Sequence, residues 1–207
     1  MANTNTPRHR VIGFLAAFFV LIFAGFIGWE YWGADRGQPA SGSKDLEQAV
    51  VDHGEAVTAF LEVPGGTVEL ALWPALAPKH ITQLTTLISQ GFYDGVVFHR
   101  VIDGFMAQTG DPTGTGTGGS DLPDIPAEFS DAKFVRGTLG MARSQNPDSA
   151  NSQFFITFGD TPFLEGDYTV FGQVVAGMEY IDAIKKGDPQ SGLMSDPDRI
   201  ISLRIAE

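Results

Sequence analysis

Residues 11–29 carry no charged side chain, and this stretch divides the chain into two parts suited to different solvents. It reads Val-Ile-Gly-Phe-Leu-Ala-Ala-Phe-Phe-Val-Leu-Ile-Phe-Ala-Gly-Phe-Ile-Gly-Trp. At 1.5 Å per residue such a run makes a helix about 28 Å long, close to the roughly 30 Å of a bilayer's hydrocarbon core. Its Val, Ile, Leu and Phe residues number twelve, which favours insertion by roughly −4 to −7 kcal/mol at about −0.3 to −0.6 kcal/mol each. Arg8 and Arg10 precede the run, and Glu30 and Asp35 follow it. The positive-inside rule therefore keeps the N-terminus cytoplasmic and sends the rest of the chain across an inner (cytoplasmic) membrane, into the periplasm or its equivalent. Trp29, Tyr31 and Trp32 stand where an aromatic belt meets the outer headgroups. A cleaved signal peptide has the same charge order, but Trp32-Gly33-Ala34 puts tryptophan where a small residue belongs. A buried core helix would show a polar face, and this run has none. The sequence favours a single-pass anchor.

The expected organisation is a cytoplasmic tail at 1–10, an anchor at 11–32, a Gly/Ser/Pro-rich linker at 33–55 and one soluble domain at 56–207. The formal net charge is −12, with no basic cluster, which argues against a nucleic-acid partner. Cysteine is absent, so disulfides, thiolate nucleophiles and Cys-ligated metals are excluded.

Within the domain the hydrophobic period is mostly two. Segments 57–63 and 67–72 flank Pro64-Gly65-Gly66, a hairpin signal. Pro78 opens a helix whose stripe is Ile81, Leu84, Leu87 and Ile88, and Gly91 ends it. Further strands are expected at 96–102, 105–108, 137–142, 154–158, 169–175 and 199–205, with a second helix near 178–185. Many short strands, glycine-rich turns and two helices predict a mainly β domain, a closed antiparallel barrel in preference to a βαβ sheet.

Residues 114–119 satisfy G-x-G-x-x-G, the dinucleotide fingerprint, but Ser120-Asp121-Leu122-Pro123 follows where a helix is required. A tight loop is the better reading. His9, His53, His80 and His99 are scattered, and no serine sits in a G-x-S-x-G elbow. The sequence calls for no metal or cofactor. His99, inside an apolar strand, suits a structural role better than a chemical one.

The segment Phe98-His99-Arg100-Val101-Ile102-Asp103-Gly104-Phe105-Met106-Ala107-Gln108-Thr109-Gly110-Asp111 resembles the signature of the cyclophilins. So do residues 114–119, then Gly137-Thr138-Leu139-Gly140-Met141-Ala142, Asn151-Ser152-Gln153-Phe154-Phe155-Ile156 and Phe171-Gly172, in order and spacing. The resemblance implies an eight-stranded barrel capped by two α-helices, with a proline-peptide groove on its outer face. It implies that Arg100 is the catalytic arginine. Phe105, Met106, Phe155 and Leu164 would wall the proline pocket. Gln108 and Gln153 would hold the substrate backbone, and Ala142 and Arg143 would form the strand edge along which the peptide lies. Three departures stand out: Phe163 replaces a tryptophan, Tyr168 a histidine and Arg143 an asparagine. Loss of the indole donor predicts weak cyclosporin binding.

These residue types suit rotation about an X–Pro bond, which meets a barrier of about 18–20 kcal/mol because amide resonance is lost. No proton need move. The imide nitrogen regains a lone pair near the transition state, and an arginine fork stabilises it there. The partners implied are proline-containing polypeptides, with the membrane engaged through the N-terminal helix. The competing reading is a non-catalytic module that holds proline segments as a chaperone or assembly factor. A serine hydrolase would need Ser and Asp partners converging on His99.

Overall fold

The computed structural model describes residues 53–206. The expected tail, the anchor and all but the last residues of the linker lie outside that span. Among the described residues no helix is long and apolar enough to cross a membrane.

Strands β1 (Val57–Val63) and β2 (Gly66–Leu72) pair from Val57↔Leu72 to Val63↔Gly66. The turn between them is therefore Pro64–Gly65, with Gly65 at φ +107°. Gly66, expected in the turn, instead opens β2. A Cβ at Gly66 would overlap the Tyr180 ring, so the glycine lets the aromatic lie flat on the strand. Helix α1 (Pro78–Ser89) begins with proline and has no capping side chain of its own. Glu128 supplies the cap, accepting from the amides of Lys79 and His80 at 3.1 Å and from His80 Nδ1 at 2.6 Å. A carboxylate there satisfies orphan amides and opposes the positive end of the helix dipole. Strands β3 (Arg100–Ile102), β4 (Met106–Thr109), β5 (Thr138–Met141), β6 (Phe154–Thr157), β7 (Val170–Ala176) and β8 (Ser202–Ile205) follow, with helix α2 (Met178–Asp182) between β7 and β8. Helix α2 stops short of Lys185, where Lys186 Nζ takes the Asp182 and Ile184 carbonyls.

All eight strands belong to one sheet, ordered β3-β4-β6-β5-β7-β2-β1-β8, and every ladder is antiparallel. The closed barrel expected from sequence is a half-barrel. Edge strands β3 and β8 are joined by no ladder; the seam is crossed just before them, where the bridge Val97↔Arg199 is flanked by hydrogen bonds from Phe98 N to the Asp198 carbonyl and from Ile200 N to the Val96 carbonyl, both 2.9 Å. The physical reason is that the loop 187–193 occupies the free edge of β3: Val101 N donates to the Gly192 carbonyl at 2.8 Å, and Gly187 N to the Val101 carbonyl at 2.9 Å. Strand β3 starts at Arg100, later than the expected residue 96, because residues 96–98 turn to the 198–200 segment and form only an isolated bridge with it.

The concave face holds the main core, with Leu61, Leu70, Val101, Ala107, Leu139, Phe154, Ile156 and Phe171 beneath Ile81, Leu84 and Ile88 of α1. Each large apolar side chain buried there contributes about 1.5–3 kcal/mol. A second apolar cluster lies on the opposite side of the sheet: Trp73, Met106, Ala132, Phe134, Phe155, Leu164 and Val170. That second cluster positions the site.

Candidate active site

Strand alternation sorts the signature residues. On β3, β4 and β6 the side chains of Val101, Ala107 and Ile156 enter the core, so Arg100, Met106, Gln108 and Phe155 project outward. Register then sets them side by side: Arg100 pairs with Gln108, Gln108 with Phe155, and Phe155 with Gly140. One row across four strands thus runs from a cation, through an amide, to an aromatic floor.

Arg100 is held on two sides. Its Nε donates to the Ser191 carbonyl at 3.0 Å, while Nη1 lies 3.5 Å from Gln108 Oε1 and 4.0 Å from Met106 Sδ. Among the described residues it meets no carboxylate, and Nη2 has no protein acceptor. Burial pulls its pKa below the ordinary arginine value, with the nearby Tyr168 opposing. An arginine keeps its charge through such a shift.

Gln108 Nε2 donates to Gln153 Oε1 at 2.9 Å, and Gln153 Nε2 reaches the carbonyls of Gly116 (3.2 Å) and Gly118 (2.7 Å). The 114–119 loop is thereby tied to the row. Its amides are not available to a phosphate, because Asp111 Oδ2 already accepts from Gly116 N (2.6 Å) and Gly118 N (3.1 Å). Burial alone would raise the Asp111 pKa. The hydrogen bonds from Thr113, Gly118 and Gly116 outweigh it and lower the value to about 2.

The four apolar residues expected to wall the proline pocket lie together. Phe105, Met106, Phe155 and Leu164 share one cluster with Ala142 and Tyr168 at its border. The 3-10 turn Pro162–Leu164 turns Leu164 inward and leaves Phe163 62% exposed at the rim, 5.5 Å from the Phe105 ring. Ala142 N donates to the Gln153 carbonyl at 3.0 Å, extending β5. Two of the departures form a matched pair. The Arg143 guanidinium lies 4.7 Å over the Tyr168 ring, and its Nε and Nη2 donate to the Asp167 carbonyl at 3.0 and 2.9 Å. Tyr168 in turn packs edge-on against Phe155, 5.8 Å between centroids.

His99 is buried, its ring lies against Gly116, and neither ring nitrogen has a hydrogen-bond partner among the described residues. Burial lowers its pKa. No hydroxyl bonds to it as a nucleophile would.

Three comparisons bear on this geometry. Residues 59–205 match the family model "Cyclophilin type peptidyl-prolyl cis-trans isomerase/CLD". The chain belongs to the cyclophilin family. A probable peptidyl-prolyl cis-trans isomerase of Brucella suis is 56% identical over 160 residues, covering 72% of this chain and 82% of the relative. Peptidyl-prolyl cis-trans isomerase-like 3 of Gallus gallus is 42% identical over 135 residues, covering 63% and 82%. A cyclophilin-type isomerase of Cryptosporidium parvum, crystallised in the presence of the dipeptide Ala-Pro, superposes with a TM-score of 0.68 at 32% identity, covering 72% of this chain and 99% of that one. The chain is thus an enzyme of the cyclophilin type, a peptidyl-prolyl cis-trans isomerase.

Two residues of this cyclophilin that back Phe155 were not singled out by the sequence. Phe134 stacks beneath Phe155 with centroids 5.8 Å apart and only 17° between planes. It lies in a loop, and no periodic signal marks it. Gly140 faces both rings: a Cβ there would overlap Phe155 and sit 2.7 Å from Phe134 Cε1. A glycine inside a strand pattern was the available signal for close approach.

Proposed function

We propose that the outer-face row is the isomerisation site for X–Pro bonds of extracytoplasmic polypeptides, with Arg100 as its catalytic residue. The observation that carries this reading is the Arg100 guanidinium, oriented by Ser191 and Gln108 with Nη2 left over, at the border of the Met106–Phe155–Leu164 wall. The apolar wall grips the pyrrolidine ring and excludes water, which strengthens the guanidinium's field at the imide nitrogen. That nitrogen becomes a better acceptor only as resonance is lost, so the contact lowers the barrier beyond any gain in binding. Gln108 and Gln153 hold the backbone on either side, and Ala142 and Arg143 offer the strand edge to the peptide.

Arg100→Ala in the purified full chain should lower turnover of a proline peptide by roughly 10²–10³, the loss typical of a preorganised transition-state donor. Arg100→Lys should recover part of it, because an ammonium does not reproduce the fork. Retention of more than about a third of parental activity by Arg100→Ala would overturn the assignment.

The location of that work rests on residues 1–52, where the charge order around the apolar run supports a cytoplasmic N-terminus, a single-pass anchor in the inner membrane and a periplasmic domain. A reporter fused after Glu207 should be active only outside the cytoplasm, and the protein should survive an alkaline carbonate wash of membranes. A shortened, soluble species would establish signal cleavage instead.

A further inference from the structure

Arg100 lies on an edge strand, which would ordinarily leave its stem without neighbours on one side. The loop 187–193 fills that side and is built around one carboxylate. Asp188 Oδ1 accepts from Gln190 N (3.0 Å), Ser191 N (2.8 Å) and Ser191 Oγ (2.9 Å). The Asp188 backbone closes the same loop, its carbonyl accepting from Gly192 N at 2.7 Å and its amide donating to the Leu193 carbonyl at 3.0 Å. Gly192, at φ +74°, passes so close to β3 that a Cβ there would stand 3.0 Å from Arg100 Cγ. The product is a rigid turn with the Ser191 carbonyl aimed at Arg100 Nε, 3.0 Å away. The hydrogen bonds from Ser191 and Gln190 also hold the Asp188 carboxyl below its ordinary pKa.

We propose that Asp188 is a positioning residue for catalysis: by fixing the 188–193 turn it fixes the Ser191 carbonyl, which pins Arg100 Nε and aims the two Nη groups at the proline pocket. With Nε occupied, the guanidinium rotates little about its last bonds, and the fork meets the imide nitrogen already oriented. Catalytic power depends on such preorganisation of the donor by its supporting groups. Asp188 acts through hydrogen-bond acceptance and not through its charge, so an amide oxygen in the same place serves.

This inference rests on Arg100 being the donor in the isomerisation, and the tests separate the two. In the full chain, Asp188→Ala should lower kcat about five- to twenty-fold with KM within about twofold, as expected for an interaction expressed in the transition state. Asp188→Asn should restore most of the loss. In an Arg100→Lys background, which has no Nε–H, Asp188→Ala should cost less than about twofold more. The Arg100 Nε–H resonance should exchange slowly with solvent in the parent and rapidly in Asp188→Ala. Four results would each overturn the proposal: Asp188→Ala with parental kcat; Asp188→Asn as impaired as Asp188→Ala; an equal Asp188→Ala loss with Arg100 or Lys at position 100; or an Arg100 Nε–H that exchanges freely in the parent. The exchange measurement judges the clamp even if Arg100→Ala proves active, which would defeat only the catalytic assignment beneath it.

Discussion

Replacing Gly140 by alanine adds one methyl group at the point where the pocket floor has no room for it. The new Cβ would overlap the tip of the Phe155 ring and lie 2.7 Å from Phe134 Cε1. Ordinary contact begins near 3.5–4.0 Å between carbons, so one or both rings must retreat by about 1 Å. Neither ring moves freely: Phe134 is 1% and Phe155 5% exposed, stacked on one another and flanked by Leu164, Met106 and Val170. Overpacking of this kind costs about 1–3 kcal/mol, which for a domain of this size lowers Tm by roughly 2–12 °C. The loss of activity should be larger than the loss of stability suggests, since a 1 Å misplacement at a reacting centre costs up to about 10²-fold. Gly140→Ala should therefore lower kcat/KM for a proline peptide at least about tenfold at temperatures where the variant is folded. Thermal unfolding beside an isomerisation assay at 10 °C reads both quantities. A second substitution, Phe134→Leu, relieves the clash from below and should return part of the activity. Parental kcat/KM in Gly140→Ala would refute the claim that Gly140 sets the position of Phe155.

Stability should fall with pH below about 6.5. Burial lowers the pKa of both His80 and His99, so the unfolded chain binds their protons first; their contribution is complete above the unfolded value of 6.5 and is lost as pH drops toward the depressed folded values. Urea unfolding at pH 7.5 and 5.5 should show the decline, and His99→Gln should remove part of the slope; a slope unchanged by that substitution would exclude His99 as a contributor. Turnover, by contrast, should be nearly flat between about pH 6 and 8 because Arg100 does not titrate there, and a bell-shaped profile would point to acid–base chemistry. Phe163 is exposed at the rim beside Phe105, so Phe163→Trp should fit and should tighten cyclosporin inhibition by roughly three- to twelve-fold through one added hydrogen bond; unchanged inhibition would direct attention to the Arg143–Tyr168 pair.

What could be read from the chain was local. Period-two alternation located the strands to within a few residues, and the side-chain alternation that puts Val101 and Ala107 inside necessarily puts Arg100, Met106 and Gln108 outside. The residues named for the pocket converge for that reason. Features that depend on distant pairing were not legible. The open seam arises because a loop beyond β7 competes for the edge of β3. The α1 cap is a glutamate 48 residues from the His80 amide it binds, so no capping signal stands beside Pro78. Phe134 is brought against Phe155 by contacts distant in sequence, among them the hydrogen bond from Thr161 N to its carbonyl at 2.8 Å, beside the turn that delivers Leu164.

The open seam and the site are connected. In a fully laddered barrel the outward edge of β3 would be engaged by another strand, with its carbonyls committed to that ladder. Here the edge is met by the 187–193 loop, whose backbone satisfies Val101 on one side and still turns the Ser191 carbonyl toward the side chain of Arg100. Irregular backbone can aim a carbonyl at a side chain in a way that a regular strand, with its acceptors in the sheet plane, does not. The other carbonyls near the row are similarly assigned: those of Gly116 and Gly118 hold Gln153, and that of Asp167 holds Arg143. In an acidic chain of net charge −12, orienting the arginine with neutral carbonyls has a definite advantage over pairing it with a carboxylate. On the proposed assignment of Arg100 as the donor, a carboxylate partner would neutralise its field at the imide nitrogen, whereas a carbonyl orients the guanidinium and leaves its charge available to the substrate.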